Sequence, residues 1–337
     1  MKVRIPAKLN LSLYVTEKMP DGYHLLDSMM VSVGVYDEIE VLSAKDITVE
    51  FFGTHSDGID PKNNTALRAA EFFCENSGIN IGAKIKVTKN IPTRAGMGGP
   101  SADAAGVLRV LKKITNYKLQ ITNAGVISTE AEKSQQSNIS SDCTKGVSAA
   151  RTEPTVRRRT ARVRSYCTAT LREARRDNQM LYAQSVGADV PFMLSKPCQR
   201  VITRIQGIGE IIAERHSSPP LHFIILPELD GVSTKECFTF YDENPETAAN
   251  CNAELITAIQ NSRPLTGVLH NSLFAPAIRL NPKILDNYRL LGTVSQNVFM
   301  TGSGSACAAL FYNGRECRAA YEKIIVAAPS AIITRSV

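Results

Sequence analysis

The chain contains no apolar run of the ~18–20 residues needed to cross a bilayer as a helix, so no helical membrane span is expected. Its first residues, Met1-Lys2-Val3-Arg4-Ile5-Pro6, are basic, but the continuous apolar stretch of a secretory signal does not follow. None of the eight cysteines stands in a Cys-x-x-Cys pair. That argues against a zinc site, and a disulfide framework is not expected in a chain of 337 residues. These absences predict a reduced, cytoplasmic protein with no membrane partner. Two nucleotide-binding fingerprints are missing as well. The main glycine-rich loop is followed by no Gly-Lys-Ser/Thr, which excludes a Walker loop, and it lacks the Gly-x-Gly-x-x-Gly of dinucleotide sites.

Acidic residues are scarce in one place. Between Arg151 and Arg176 nine of the 22 arginines face only Glu153 and Glu173. This segment alone accounts for the formal net charge of +7, and the rest of the chain is close to neutral. The basic balance is therefore no sign of a nucleic-acid-binding surface across the protein. At 43% hydrophobic and 21% charged residues, the chain is long enough for one large or two moderate globular domains.

Apolar periodicity organises most of the chain. Residues 1–53 read as strands and turns, with a strand over 9–15, a hairpin signal at Asp21-Gly22 and a strand over 31–41. Helical spacing runs over 64–76 and stops at Gly78. A strand over 83–89 leads into the glycine loop, and a helix follows over 101–114. Residues 118–184 break the pattern. They are rich in Ser, Thr, Gln, Asn and Arg, and read as an exposed insertion, with a helical patch near 170–183 as an alternative. Beyond them come a strand over 201–205, a turn at Gly207-Ile208-Gly209, a linker at Pro219-Pro220 and a strand over 221–226. Helices are expected over 248–261 and 282–291, and strands over 298–300 and 308–311. This mixture predicts an α+β protein with a domain boundary near Ser217, giving domains 1–216 and 217–337.

Four stretches carry chemistry: Pro6-Ala7-Lys8-Leu9-Asn10-Leu11, the glycine-rich run from Pro92 to Ala105, Gly187-Ala188-Asp189-Val190-Pro191, and Met300-Thr301-Gly302-Ser303-Gly304-Ser305. In Pro92-Thr93-Arg94-Ala95-Gly96-Met97-Gly98-Gly99-Pro100-Ser101 a strand turns into a helix. Its glycines let backbone amides approach an anion, and the helix start adds unpaired N–H groups and the positive end of the dipole. Taken singly, each stretch also has a plain structural reading: a connecting turn, a solvated strand lysine, a capping aspartate. Taken together they supply what phosphoryl transfer to an alcohol needs. A carboxylate takes the hydroxyl proton, an ammonium keeps it ionised and neutralises transferring charge, and glycine loops hold phosphates.

These motifs resemble those of the GHMP kinase superfamily, whose loop reads Pro-x-x-x-Gly-Leu-Gly followed by small residues and Ser. The early Asp21-Gly22-Tyr23-His24, with Gly207-Ile208-Gly209-Glu210 and Val232-Ser233-Thr234-Lys235, is most similar to the branch acting on a cytidine-diphosphate-linked methylerythritol. The resemblance covers residues 1–117 and 185–337. It implies an N-terminal domain like domain 2 of ribosomal protein S5, a C-terminal ferredoxin-like domain and an active site between them. It also implies Asp189 as catalytic base with Lys8 beside it. Asn64, Pro92, Gly96, Met97, Gly98, Gly99 and Ser101 are implied to bind ATP. Asn10, Tyr23, His24, Phe238, Thr301, Gly302, Ser303 and Gly304 are implied on the substrate side. Tyr23 and Phe238 would sandwich a cytosine whose edge His24 reads. MgATP is the implied cofactor and a small molecule the implied partner. No dedicated metal ligands are assigned, and the oligomeric state is left at monomer or homodimer.

The sequence departs from the pattern in two places. Arg94 and Ala95 stand where many members have small residues, and Pro100 and Ala102 replace a glycine and a serine; Pro100 removes one possible N–H donor. Residues 118–184 are about 50 residues longer than relatives need. Three readings stay open for them: a solvated insertion, a recombined or mistranslated stretch in place of a natural helix, or a basic module for nucleic acid or an acidic partner, which is the only nucleic-acid candidate.

Overall fold

Alternation in the first 43 residues builds one long hairpin. In a computed structural model, which describes residues 1–115, 120–121, 127–128, 186–195, 200–228 and 230–337, β1 (Lys2–Lys18) pairs antiparallel with β2 (His24–Ser43). The Asp21-Gly22 signal closes it. Gly22 donates its N–H to Met19 O at 3.0 Å, and Met19 donates to Tyr23 O at 2.7 Å. β3 (Thr48–Phe52) and β4 (Ala83–Thr88) run parallel. A short pair, β5 (Gln120–Ile121) with β6 (Ile127–Ser128), stands apart. β7 (Val201–Gly207) and β8 (Ile211–Ser217) complete a six-stranded sheet of order β3-β4-β2-β7-β8, with β1 along β2. β4 pairs with the C-terminal half of β2 and β7 with the N-terminal half. The expectations placed on 118–184 lie outside the described residues, save for the four in β5 and β6.

Among the described residues β1 has one strand partner, so Pro6 falls where a missing N–H is tolerated. Loops take up its outer edge. Lys8 N donates to Met97 O (3.1 Å), Asn10 N to Thr301 Oγ1 (2.9 Å) and Leu13 N to His270 O (2.9 Å). An exposed edge strand is thereby covered, and distant motifs are stitched to one strand. The polar positions of its alternating pattern are as buried as the apolar ones: Lys8 is 4% exposed and Asn10 2%. Lys8 is not the solvated strand lysine of the plain reading.

Two helices cover this sheet. α1 (Thr65–Ser77) starts at Asn64, whose Oδ1 accepts from Leu67 N at 2.8 Å, and ends at Gly78 as the periodicity predicts. α2 (Gly99–Thr115) is buried on nearly every side and lies so close to β2 that a Cβ at Gly106 would meet Ile39 Cδ1 at 2.5 Å. An ionic cluster beneath the start of α2 ties it to the sheet. Lys89 Nζ donates to Asp37, and to Asp103 Oδ2 at 2.7 Å, and all three side chains are buried. Asp37 Oδ1 also accepts from Asn90 N and Ile91 N, at 2.7 and 2.8 Å. Asp103 Oδ1 has no hydrogen-bond partner among the described residues. Burial works against the Lys89 charge, and the two carboxylates more than offset it, so its pKa lies above the ordinary lysine value. Burial pushes the Asp103 carboxyl up to about 8, against the pull of Lys89.

In the unfolded chain Asp103 loses its proton near pH 4, and in the folded chain near 8. Between those values the folded state holds the extra proton, so this group's contribution to stability falls as pH rises, by up to ~1.4 kcal/mol per unit. Asp103→Asn removes the titration. Urea unfolding at pH 5.5, 7 and 8.5 is expected to show the variant gaining stability relative to the natural chain at each step. A constant difference across the series would place the proton elsewhere.

The second sheet consists of β9 (His222–Leu226), β10 (Val298–Met300), β11 (Cys307–Phe311) and β12 (Ile332–Arg335), antiparallel in the order β10-β11-β9-β12. The uninterrupted apolar run at 221–226 is explained by two-sided burial. Phe223 and Ile225 join the core under the first sheet, while Ile224 and Leu226 join a second core. Helices α3 (Val190–Leu194), α4 (Thr234–Glu243), α5 (Asn252–Gln260), α6 (Phe274–Leu280), α7 (Lys283–Gly292) and α8 (Gly314–Ile324) complete the described elements. α5 begins four residues later than periodicity suggests. Asn250 is held outside it, donating Nδ2 to Asp27 Oδ2 at 3.0 Å and accepting Asn252 N on Oδ1 at 3.0 Å. Among the described residues, no helix is long and apolar enough to cross a membrane, and the five cysteines are free.

Candidate functional site

The four chemical stretches converge on one cleft of about 1060 Å³. β1 supplies Lys8 and Asn10, and α3 supplies Asp189 at its N-cap. The phosphate-type loop enters from the start of α2, and the third loop from between β10 and β11. Lys8 Nζ donates to Asn10 Oδ1 at 2.5 Å and lies 3.4 Å from Asp189 Oδ2. Asn10 in turn donates Nδ2 to Ser28 Oγ at 2.7 Å, and Ser28 donates to Ser12 O at 2.5 Å. The lysine is thus fixed through a chain of buried partners from both strands of the hairpin. Asp189 makes no capping bond with its side chain, which leaves the carboxylate facing Lys8 and the cleft. The β7–β8 turn backs it: a Cβ at Gly209 would lie 3.6 Å from Asp189 Oδ1.

Gly96 to Ser101 line the cleft wall next to this pair. Arg94, exposed and in the left-handed region at φ 57°, also lines it. That backbone conformation suits a small residue, and Arg94 adopts it with its side chain against Gly231. No carboxylate pairs with it among the described residues. Thr301 is buried; its Oγ1 accepts from Asn10 N at 2.9 Å and donates to Gly96 O at 3.4 Å. Ala306 N donates to Ala95 O at 3.2 Å. Thr301 therefore joins strand, glycine loop and third loop, while Gly302, Ser303 and Gly304 reach the cleft surface. Asn64 and Thr301 are the expected residues that do not line the cleft, and of the two Asn64 is also bonded away from it. Its side chain caps α1 and donates to Asp60 O and Pro61 O, both at 3.0 Å.

At the far end of the cleft stand Tyr23, His24 and Phe238. Tyr23 is 43% exposed. His24 is buried and stacks directly on Phe238, with ring centroids 4.6 Å apart and 19° between planes. Its Nε2 lies 2.7 Å from Asp242 Oδ1, and Lys18 Nζ lies 2.7 Å from Asp242 Oδ2. Burial tends to raise the Asp242 pKa, but the hydrogen bonds from Lys18 and His24 outweigh it and hold the carboxyl below its ordinary value. An ionised carboxylate only accepts, so Nε2 of His24 carries the hydrogen and a neutral ring keeps Nδ1 as an acceptor. Sequence reasoning passed over Asp242, Ser28 and Lys89. Asp242 was within reach, because it stands four residues after Phe238 and so on the same face of α4.

The arrangement can hold an anion at the loop and present a carboxylate, with an ammonium beside it, to a neighbouring hydroxyl. It can also receive a planar group against the exposed ring of Tyr23, beside the His24–Phe238 stack. Residues 64–145 match the family model described as the GHMP kinases N terminal domain. The chain is 28% identical over 335 residues to the 4-diphosphocytidyl-2-C-methyl-D-erythritol kinase of Paramagnetospirillum magneticum, covering 97% of this chain and 95% of that protein. It is 40% identical over 119 residues to the kinase of the same name from a Geobacillus species, covering 35% of this chain and 41% of that one. Among solved structures, a 4-(cytidine 5'-diphospho)-2C-methyl-D-erythritol kinase superposes over 100% of both chains with a TM-score of 0.66 at 24% identity. A homoserine kinase from Cytophaga hutchinsonii gives 0.61 at 16%, covering 100% of this chain and 94% of that one.

Proposed function

We propose that this chain, which belongs to the GHMP kinase superfamily and is a small-molecule kinase, phosphorylates a hydroxyl of 4-diphosphocytidyl-2-C-methyl-D-erythritol with ATP. The observation that carries the reading is the Lys8–Asp189 pair, 3.4 Å apart, in a cleft walled on one side by the glycine loop and at the far end by Tyr23, His24 and Phe238. Substrate hydroxyl and nucleotide would meet at the pair. Asp189 accepts the hydroxyl proton as the oxygen bonds to the γ-phosphorus, and the bond from that phosphorus to the β,γ-bridging oxygen breaks to release ADP. Lys8 offsets charge on the carboxylate and on the transferring group. The relatives that carry the cytidyl name support the choice of substrate, as does the aromatic end of the cleft. Asp242 fixes the tautomer of His24, and the acceptor it leaves suits the amino edge of a cytosine.

The loop suits nucleotide phosphates, since its backbone approaches the cleft at glycines and the first turn of α2 stands behind it. Magnesium arrives with such phosphates and keeps several waters, so it asks few ligands of the protein. Among the described residues there is no group of three or more His, Cys, Asp or Glu that could hold a metal ion. When bound, the ion would neutralise charge on the phosphates. Arg94 is placed to add a charge-assisted bond to them, in compensation for the donor lost at Pro100. Arg94→Ala is expected to raise the KM for ATP by about tenfold, the size of one hydrogen bond to a charged group. An unchanged KM would remove Arg94 from the nucleotide site.

We also read residues 1–216 as an S5 domain 2-like domain and 217–337 as a ferredoxin-like domain. Support for the second comes from its chain order, β9, helices, β10, β11, α8, β12, in a sheet ordered β12-β9-β11-β10. The function is tested by coupled ADP release with MgATP against the cytidyl substrate, mevalonate and homoserine. The cytidyl compound is expected to give the highest kcat/KM. A higher value for another alcohol would keep the kinase and replace its substrate.

A further inference from the structure

We propose that Arg109 is a positioning residue for phosphoryl transfer, setting the place of the Asp189 carboxylate through the far end of α3; this rests on the reading of Asp189 as the base. α3 spans five residues, Val190–Leu194, and a helix of one turn has little stability of its own. Its N-cap residue, Asp189, keeps its side chain out of the cap, so the carboxylate is free for chemistry and the helix loses a normal source of fixation at that end. Val190, Phe192 and Met193 pack its side chains into the core of the first sheet, and at its other end its backbone is gripped as well. Arg109 projects from α2, and its Nη2 donates to Met193 O at 2.9 Å, Leu194 O at 3.3 Å and Ser195 O at 3.2 Å. These are carbonyls that a helix terminus leaves without intrahelical partners. A cation there also opposes the negative end of the helix dipole.

All three acceptors belong to the end of α3, so the side chain acts on that segment alone among the described residues. Burial lowers the Arg109 pKa from its ordinary value, yet a guanidinium keeps its charge. The backbone of α2 completes the argument. Its first turn stands behind the phosphate loop, and ten residues on it carries the side chain that grips α3. One buried helix therefore references the phosphate and the base to the same frame. Losing that reference is costly, because a displacement near 1 Å can cost on the order of 10²-fold in rate.

The test is a double-mutant cycle on the full chain. Arg109→Met is expected to lower kcat about 10- to 10²-fold, with KM for both substrates within ~2-fold. Arg109→Lys should recover part of the loss, since an ammonium keeps the charge but lacks the planar fork. In an Asp189→Asn background Arg109→Met should remove less than ~2-fold more, because its effect passes through the carboxylate. Equal fold losses in both backgrounds would overturn the proposal while leaving the kinase reading intact.

A second measurement does not depend on turnover. Hydrogen exchange of the full chain is expected to quicken at least ~10-fold at residues 190–195 in Arg109→Met, and less in Arg109→Lys, with the amides of β9 and β11 unchanged. Met193 N, bonded to Asp189 O at 3.0 Å, and Ser195 N, bonded to Pro191 O at 3.1 Å, are the reporters. Unaltered exchange there would overturn the proposal even if no alcohol were phosphorylated. Faster exchange in a chain without turnover would uphold the clamp and sink only the function.

Discussion

Asp189→Asn is expected to lower kcat by ~10²–10⁴-fold, with KM for ATP and for the alcohol little changed. The size follows from what the substitution removes. The amide keeps the shape of the side chain and its place at the head of α3, but it has no lone-pair charge to receive a proton. Lys8 Nζ, 3.4 Å from Asp189 Oδ2, loses its carboxylate partner but keeps Asn10 Oδ1 at 2.5 Å, so it stays in place. Because Asp189 makes no capping bond, fold stability should move little, and the melting temperature is a control for the kinetics. Turnover close to that of the natural chain would take the base role from Asp189. A loss confined to KM would make it a binding residue instead.

Much of this was legible because the local signals agree with the fold. The Asp21-Gly22 turn, the Asn64 and Gly78 limits of α1, the strand before the glycine loop and the helix after it all appear where the sequence puts them. The unread parts share physical causes. α4 and α6 have short, mixed patterns whose apolar faces become meaningful only against the second core, to which Cys237, Tyr241 and Ala277 belong. α8 has a cap signal at Asn313, whose Oδ1 accepts from Arg315 N at 2.8 Å, but its mostly polar sequence gives that signal little apolar periodicity to open. The Lys89 cluster is assembled from residues up to 66 positions apart in the chain, and nothing in local periodicity joins them.

The site shows the same division. Lys8, Asp189 and the glycine loops stand out by residue type as candidates, whereas the groups bonded around them, Ser28 and Thr301, and Arg109 at the end of α3, are set by which side chains the fold brings together. His24 marks the limit of reading by type. It stands where a base-reading residue was expected, but the structure stacks it on Phe238 and gives one of its nitrogens to Asp242.

The glycine loop sets up the second large effect. Gly96 sits at φ 71°, and a Cβ there would meet Thr301 O at 2.2 Å and Gly304 O at 3.0 Å. Both obstacles are backbone, so no side chain can swing aside. They belong to the loop that Thr301 ties to β1. Gly96→Ala must therefore push the phosphate loop away from the third loop, or distort both, and it meets in addition the ~1–2 kcal/mol cost of a left-handed alanine. A shift of even 1 Å in the amides that face the phosphates is expected to lower kcat/KM for ATP on the order of 10²-fold. Gly267→Ala separates the two contributions. Gly267 has φ 81° with nothing within 4 Å of the added carbon, so it bears the backbone cost without the collision. That variant should lose comparable backbone stability and keep its kinetics. If Gly96→Ala proves as active as Gly267→Ala, the close packing of the two loops is not what aligns the nucleotide. The positioning would then fall to Lys89, Asp37 and Asp103 beneath the start of α2.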